Sequence, residues 1–334
     1  MTLSELKVEL ESMDLPQYRA EQLYAWFHQK GAKSYDEMSD LPKSLRNKFS
    51  THFPILICNI VNKQTSKCDG TVKYLFQLND GELIESVLMQ YKYGYTLCVS
   101  TQVGCKMGCK FCATAIGGLV RNLRPSEILG QIHETQRDLN IRVSHVVLMG
   151  MGEPLDNFKN VMRFLDLVSD ANGFNIGMRN ISLSTCGIVP AINLLLEKHL
   201  QLTLSVSIHA PNDIIRSAIM PVNNKYNVDE LLETCRNYTK QTSRRISFEY
   251  AMLDGINDSY ECALELANKV KGILCHVNLI PTNEFAESRF NRSSIQKIEN
   301  FKKTLLNNGI NVTIRRSLGS DIDASCGQLR SRNI

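Results

Sequence analysis

No apolar run among the 334 residues reaches the ~18 that a membrane span needs, so no transmembrane helix is expected. The N-terminus lacks the basic, apolar and small-residue succession of a secretory signal, which makes a soluble cytoplasmic protein the expectation. Excess charge is scarce: 38 Lys and Arg against 34 Asp and Glu leave +4, too little to identify a nucleic-acid partner and not enough to oppose one. Repeats and low-complexity tracts are absent, which excludes solenoids and long disordered linkers. Structural disulfides are also not expected. The eleven cysteines are odd in number and irregularly spaced, and without an export signal they point to reduced thiols, metal ligands or catalysis.

What is present is enough for a sizeable core. Hydrophobic residues make up 43% of the chain, and its length suggests one large domain with a smaller one. Residues 1–54 read as helical: Thr2 and Glu5 fit a capping box, Ala20, Leu23, Tyr24 and Phe27 share a helix face, and Leu45 and Phe49 begin a third helix after Pro42. Residues 55–92 read as a β extension, with a hairpin turning at Asn79-Asp80-Gly81 between Val72–Phe76 and Leu83–Leu88. On strand pattern alone, Glu85 reads as an outward-facing, solvated carboxylate.

From 93 to 334, strands and amphipathic helices alternate. Strands are expected near 95–100, 145–149, 180–185, 202–208, 246–252, 277–281 and 312–316. Six βα units and a last strand fall short of a closed eight-stranded barrel. The expected fold is α/β, a partial (βα)6 TIM-like barrel that is splayed open; a doubly wound sheet is the alternative.

The unusual residues gather where such folds keep their chemistry, beyond the carboxyl ends of the strands. Cys105, Cys109 and Cys112 have C-x3-C-x2-C spacing after the first barrel strand. Three thiolates on one loop can hold three irons of a [4Fe–4S] cube and leave the fourth iron open. A structural zinc ion would want a fourth ligand, and none lies nearby in sequence; zinc or chance spacing of buried cysteines is the alternative. Gly150-Met151-Gly152-Glu153-Pro154 follows the second strand and is neither a dinucleotide fingerprint nor a P-loop. Its glycines suit close backbone approach to an amino-acid-like ligand, with Glu153 accepting from an ammonium. Ser184, Ser207 with Ile208 and His209, Asn283, and the 321–327 segment close later strands. Basic residues cluster at Lys43, Arg46 and Lys48, at Arg121 and Arg124, at Arg244 and Arg245, at Arg315 and Arg316, and at Arg330 and Arg332; solvated surface charge is the plain reading of each.

With these motifs the chain resembles the radical S-adenosylmethionine enzymes and, more narrowly, the RlmN/Cfr family of RNA adenine methyltransferases. The narrower resemblance rests on Cys98 to Gly104, Met149 to Leu155, Ser207-Ile208-His209 and Asp321 to Leu329, and it covers essentially the whole chain. It implies a [4Fe–4S] cluster on Cys105, Cys109 and Cys112. It also implies two S-adenosylmethionine molecules per turnover, with contacts from Gly152, Glu153, Ser184, Ser207, Ile208, His209 and Asn283.

The resemblance assigns chemistry too. Cys326 becomes S-methylcysteine, and a 5′-deoxyadenosyl radical takes hydrogen from that methyl group. The resulting carbon radical adds to the adenine ring and joins protein to RNA. Glu85 accepts the ring proton, and Cys98 resolves the adduct through a transient disulfide with Cys326. The implied substrates are an adenine at the peptidyl transferase centre of 23S rRNA and an adenine beside the tRNA anticodon, held in part by the N-terminal helices. An external reductant of the flavodoxin or ferredoxin type and a monomeric state are implied as well. The 113–118 stretch and Val103 resemble the carbon-2 branch, with the carbon-8 branch and a non-catalytic, metal-holding RNA-binding protein as alternatives. Ser325 departs from the usual alanine before the methylated cysteine, and Cys186 has no role in the family pattern.

Overall fold

The computed structural model describes residues 1–55, 58–282 and 289–322. Three helices open the chain: α1 (Leu3–Glu11), α2 (Tyr18–His28) and α3 (Lys43–His52). The Thr2–Glu5 capping box forms in both directions, satisfying two backbone N–H groups at the start of α1. Leu6, Leu10, Ala20, Leu23, Tyr24, Met38 and Phe49 close into an apolar cluster of their own, with Phe27 partly buried against it.

Next come β1 (Asn59–Thr65), β2 (Val72–Gln77), β3 (Leu83–Tyr91) and β4 (Gly94–Cys98), all paired antiparallel. A small antiparallel pair, β5 (Gln102–Gly104) and β6 (Leu119–Asn122), brackets the cysteine loop. The strands β7 (Val143–Leu148), β8 (Ile181–Thr185), β9 (Thr203–Ser207), β10 (Ile246–Met252), β11 (Cys275–Pro281) and β12 (Val312–Ile314) then continue parallel to β4. Between them run α4 (Pro125–Leu139), α5 (Phe158–Ser169), α6 (Val189–Glu197), α7 (Asp213–Ile219), α8 (Val228–Thr242), α9 (Tyr260–Val270) and α10 (Ile295–Asn307). Seven parallel strands joined by six helical crossovers make the expected partial barrel, and the β1–β3 extension lengthens its first edge into a ten-stranded sheet. No helix among the described residues is long and apolar enough to cross a membrane.

The N-terminal helices dock on α4 and the end of α5. Tyr24 Oη donates to Asp170 at 2.8 Å, Gln29 Nε2 to the carbonyl of Asn172 at 2.9 Å, and Arg137 pairs with Glu37 at 2.7 Å. At this junction His28 and His133 flank the ring of Phe174, and the buried His28 Nδ1 and His133 Nε2 have no hydrogen-bond partner. Burial lowers His28 to about 4, helped by the N-terminal charge, and lowers His133 to about 3, helped by His28.

The unfolded chain takes up protons on these rings near pH ~6.5, while the folded chain refuses them until much lower pH. Their contribution is therefore complete above pH ~6.5 and is lost as pH falls below it. At pH 5 the loss amounts to roughly 2 kcal/mol at His28 and somewhat less at the half-buried His133. Melting temperature is expected to drop by a few degrees between pH 7 and pH 5, and His28→Phe should shrink that drop. An unchanged pH dependence in the variant would show that the junction does not carry it.

Candidate active site

The carboxyl ends of β4, β7, β8, β9 and β10, with the inner face of β2 and β3, enclose a cavity of about 410 Å³. Its wall begins at the hairpin. Leu75 pairs with Glu85 and Lys73 with Val87, so the odd-numbered residues of both strands face one way. The even-numbered Ile84 and Leu88 enter the main core, and Ser86 Oγ donates to Gln131 Oε1 of α4 at 2.7 Å. Glu85 points into the cavity, 2% exposed, with Oε2 at 2.6 Å from Lys73 Nζ. The outward, solvated reading of Glu85 is therefore corrected: β3 is covered on both faces, so alternation along it separates core from cavity rather than core from solvent.

Past β4 the chain is tied down by side-chain bonds to backbone. Gln131 accepts from Ser100 N at 2.8 Å and donates to Ser100 O at 3.0 Å, while Ser100 Oγ donates to Glu85 O at 2.6 Å and accepts from Met151 N at 3.0 Å. Gln102 Oε1 accepts from Glu153 N at 2.8 Å. The two glycines of the 150–154 motif have a closer duty than ligand approach. A Cβ on Gly150 would lie 2.7 Å from the Val99 carbonyl, and one on Gly152, whose φ is +101°, would lie 2.5 Å from Gln102 Cβ. Only glycine lets this loop pack onto the end of β4.

Cys105, Cys109 and Cys112 all face the cavity. Burial pushes the Cys105 thiol up to about 12 and raises Cys109 further, and in each case the neighbouring thiols of the loop add to the rise. Such thiols stay neutral until a metal takes their protons' place. Among the described residues no three His, Cys, Asp or Glu side chains converge closely enough for one metal ion. A cubane asks for something different, since it meets each thiolate at a separate corner. All ten cysteines among the described residues are free thiols.

Across the cavity, Glu153 is 4% exposed; its Oε1 accepts from Leu155 N at 3.0 Å and its Oε2 from Cys186 N at 2.7 Å. Burial raises its carboxyl above the ordinary range despite these bonds. The side chains of Thr185 and Cys186 also bond this carboxylate. His209, at φ +51°, accepts the Ala251 N–H on Nδ1 at 2.9 Å, which puts its proton on Nε2. Burial, with the charge of Arg216, lowers the ring to about 3, so it remains neutral. Ser184 and Ser207 face the same space, while Ile208 is fully buried behind it. The cavity thus brings together Glu85, Cys98, the three loop cysteines, Gly152, Glu153, Ser184, Ser207 and His209. Asn283 and Cys326 lie outside the described residues.

Several contributors were missed by sequence reasoning. Lys73 could have been found, since a lysine inside an apolar strand and a hairpin centred on Asn79–Gly81 already place it diagonal to Glu85. Arg216 is fully buried and ties Ile208 O, Ser207 O and Cys186 O together at 2.7–3.1 Å; nothing local marks it. Gln131 is equally silent in sequence. Of the basic clusters, Arg121 is spent on Asp80 and Glu127, whereas Arg315 and Arg316 line the cavity. The β1–β2 turn grips the segment leading toward Cys326: Ser66 Oγ and Lys67 N donate to Asp321 at 2.6 and 2.8 Å, and Gly319 N donates to Asp69 at 2.8 Å.

Residues 99–267 match the family model of the radical SAM superfamily, and residues 1–55 match that of the ribosomal RNA large subunit methyltransferase N-terminal domain. A Clostridium novyi (strain NT) protein named probable dual-specificity RNA methyltransferase RlmN is 51% identical over 333 residues, covering 100% of this chain and 97% of its own. One of the same name from Clostridium tetani (strain Massachusetts / E88) is 50% identical over 334 residues, covering 100% of this chain and 95% of its own. The crystal structure of a radical SAM methyltransferase from Sphaerobacter thermophilus superimposes with a TM-score of 0.94 at 43% identity, covering 98% of this chain and 97% of that one. Membership of the superfamily implies a [4Fe–4S] cluster and S-adenosylmethionine. Fold, cavity and likeness along the full length agree, and the chain belongs to the radical SAM superfamily and, within it, to the RlmN family of RNA methyltransferases.

Proposed function

We propose that this protein methylates carbon 2 of adenine in 23S rRNA, at the peptidyl transferase centre, and in tRNA, next to the anticodon. The observation that carries the reading is one cavity lined by three loop thiols, a fourth thiol at Cys98 and a buried carboxylate at Glu85. Cys105, Cys109 and Cys112 would hold the cluster, and Gly152, Glu153, Ser184, Ser207, Ile208, His209 and Asn283 would receive S-adenosylmethionine, two molecules per turnover. Bound there, these groups supply one-electron chemistry at carbon, which an adenine ring carbon demands because it resists polar methylation.

The chain's own residues do the rest. Cys326 carries the incoming carbon as S-methylcysteine and becomes joined through it to the base. Glu85 accepts the ring proton, a task that needs a positioned carboxylate within reach of the carbon. Cys98, as thiolate, attacks the sulfur of Cys326: an S–S bond forms, the S–C bond breaks, and the electron pair leaves on the methylene carbon, which takes a proton to become methyl. The base must be unstacked and extruded to reach these groups. The N-terminal helices and basic clusters would hold the RNA by backbone and shape.

Anaerobically reconstituted protein, given S-adenosylmethionine, a low-potential reductant and either a 23S rRNA fragment or tRNA, is expected to yield 2-methyladenosine by nucleoside mass spectrometry. Methyl on carbon 8 would move the protein to the other branch of the family. Iron-loaded protein that methylates neither RNA would overturn the reading.

A further inference from the structure

Lys73 is fully buried, and its ammonium lies 2.6 Å from Glu85 Oε2. Two charges taken out of water rarely improve on well-packed apolar side chains, so folding alone gives little reason for the pair. Its address gives one. Lys73 stands directly opposite Val87 on β3, and Val87 directly opposite Cys98 on β4. Opposed residues share a face, as do residues two apart on a strand. Lys73, Glu85, Val87 and Cys98 are therefore one patch of cavity wall. Among the described residues, the charged and titratable groups that line the cavity with that patch are Arg315 and Arg316 after β12, Tyr91 on β3, Glu249 on β10, and Glu153, Cys186, His209 and the loop cysteines across the cavity. Burial raises the Cys98 thiol, Arg315 and then Lys73 pull it down, and Glu85 pushes it up.

We infer that Lys73 is a positioning residue shared by both reacting groups of this wall: its ammonium aims and pairs the Glu85 carboxylate, and it supports a thiolate at Cys98 once Glu85 has taken up a proton. The inference rests on the reading of Glu85 as proton acceptor and Cys98 as resolving thiol. When the ring C–H bond breaks, the proton goes to Glu85 and its electron pair stays in the ring, while the single electron left by the radical addition would pass to the one-electron carrier that the superfamily implies. The Lys73–Glu85 pair then passes from zero net charge to +1, one strand away from the sulfur that must next become an anion. Proton removal and thiol attack are thereby coupled in order, with no movement of the backbone required.

The test uses the full chain and four variants: Lys73→Met, Lys73→Arg, Glu85→Gln and the double Lys73→Met/Glu85→Gln. One readout needs no turnover: the site-resolved rate of Cys98 alkylation by iodoacetamide against pH. In the Glu85→Gln background, Lys73→Met is expected to slow alkylation at pH 8 by about fivefold, because fewer molecules hold the thiolate. The second readout is the pH–rate profile of RNA methylation. A carboxylate that has lost the group that aims it serves poorly at every pH, so Lys73→Met should lower methylation by about tenfold across the profile, and Lys73→Arg should restore it. Should Lys73→Met alone fail to fold, the neutral double variant still carries the alkylation arm. Equal Cys98 alkylation in the single Glu85→Gln and the double variant would overturn the inference. A wild type that methylates no RNA while the alkylation difference persists would sink the proposed function and leave the electrostatic role standing.

Discussion

Replacing Cys109 with alanine is expected to remove cluster iron and RNA methylation together. Three thiolates already leave one iron without a protein ligand, so the loss of another leaves two irons exposed to exchange and oxidation. Cys109, like Met107 and Phe111, packs against the buried cluster that holds Met220, and alanine there supplies no ligand. Iron per chain should fall to a minor fraction of wild type after anaerobic reconstitution, and methylation by about a thousandfold or more, equivalent to ~4 kcal/mol of barrier. Cys186→Ala is the internal control. That residue bonds Glu153 through its backbone N–H and its thiol and lines the same cavity from outside the 105–112 loop, so its truncation should leave iron loading intact. Full iron loading in Cys109→Ala, or its loss in Cys186→Ala, would assign the ligands differently.

The alternation of β and α was legible because each barrel strand is a short apolar run and each crossover helix has one apolar face, as in α5, where Val161, Phe164, Leu165 and Val168 are buried. Local chemistry was legible too: the capping box at Thr2, the hairpin at Asn79–Gly81 and the spacing of Cys105, Cys109 and Cys112 each concern residues within one or two turns of one another. What remained hidden depends on which surfaces meet. Glu85 looked solvated because a strand has only two faces, and sequence does not say that both are covered. Gly150 and Gly152 were read toward a ligand; what sequence did not show is that contact with Val99 and Gln102, some fifty positions earlier, also requires them. Gln131 and Arg216 show no periodic or motif signal, yet they bind Ser100 just past β4 and Ser207 at the end of β9. Residues that touch substrate leave spacing patterns; residues that hold those in place are found only once the chain is folded.

Cys98 and Cys326 are expected to fail at different points of one reaction, which simple metal ligation cannot imitate. Cys98 faces the cavity on the same wall as Glu85, and Leu318 lines that cavity at the start of the segment leading to Cys326. Cys326 lies eight positions after Leu318, a span that can reach up to roughly 27 Å, so approach of the two sulfurs is well within the chain's length. Without the resolving thiol, chemistry should proceed to the covalent stage and stop there. Cys98→Ala protein should thus accumulate an RNA-linked species that survives denaturation, shifts in a denaturing gel and collapses on ribonuclease treatment. Most of the active protein should be trapped after one turnover, because Cys98 is the one thiol among the described residues that shares the β3–β4 wall with Glu85. Without the methyl acceptor the first transfer never occurs, so Cys326→Ala should give neither adduct nor product while keeping its iron. The double variant should behave as Cys326→Ala does, since the earlier block masks the later one. Normal multiple turnover by Cys98→Ala, with no trapped RNA, would discard the resolving role of Cys98 even if the protein proved to be a methyltransferase.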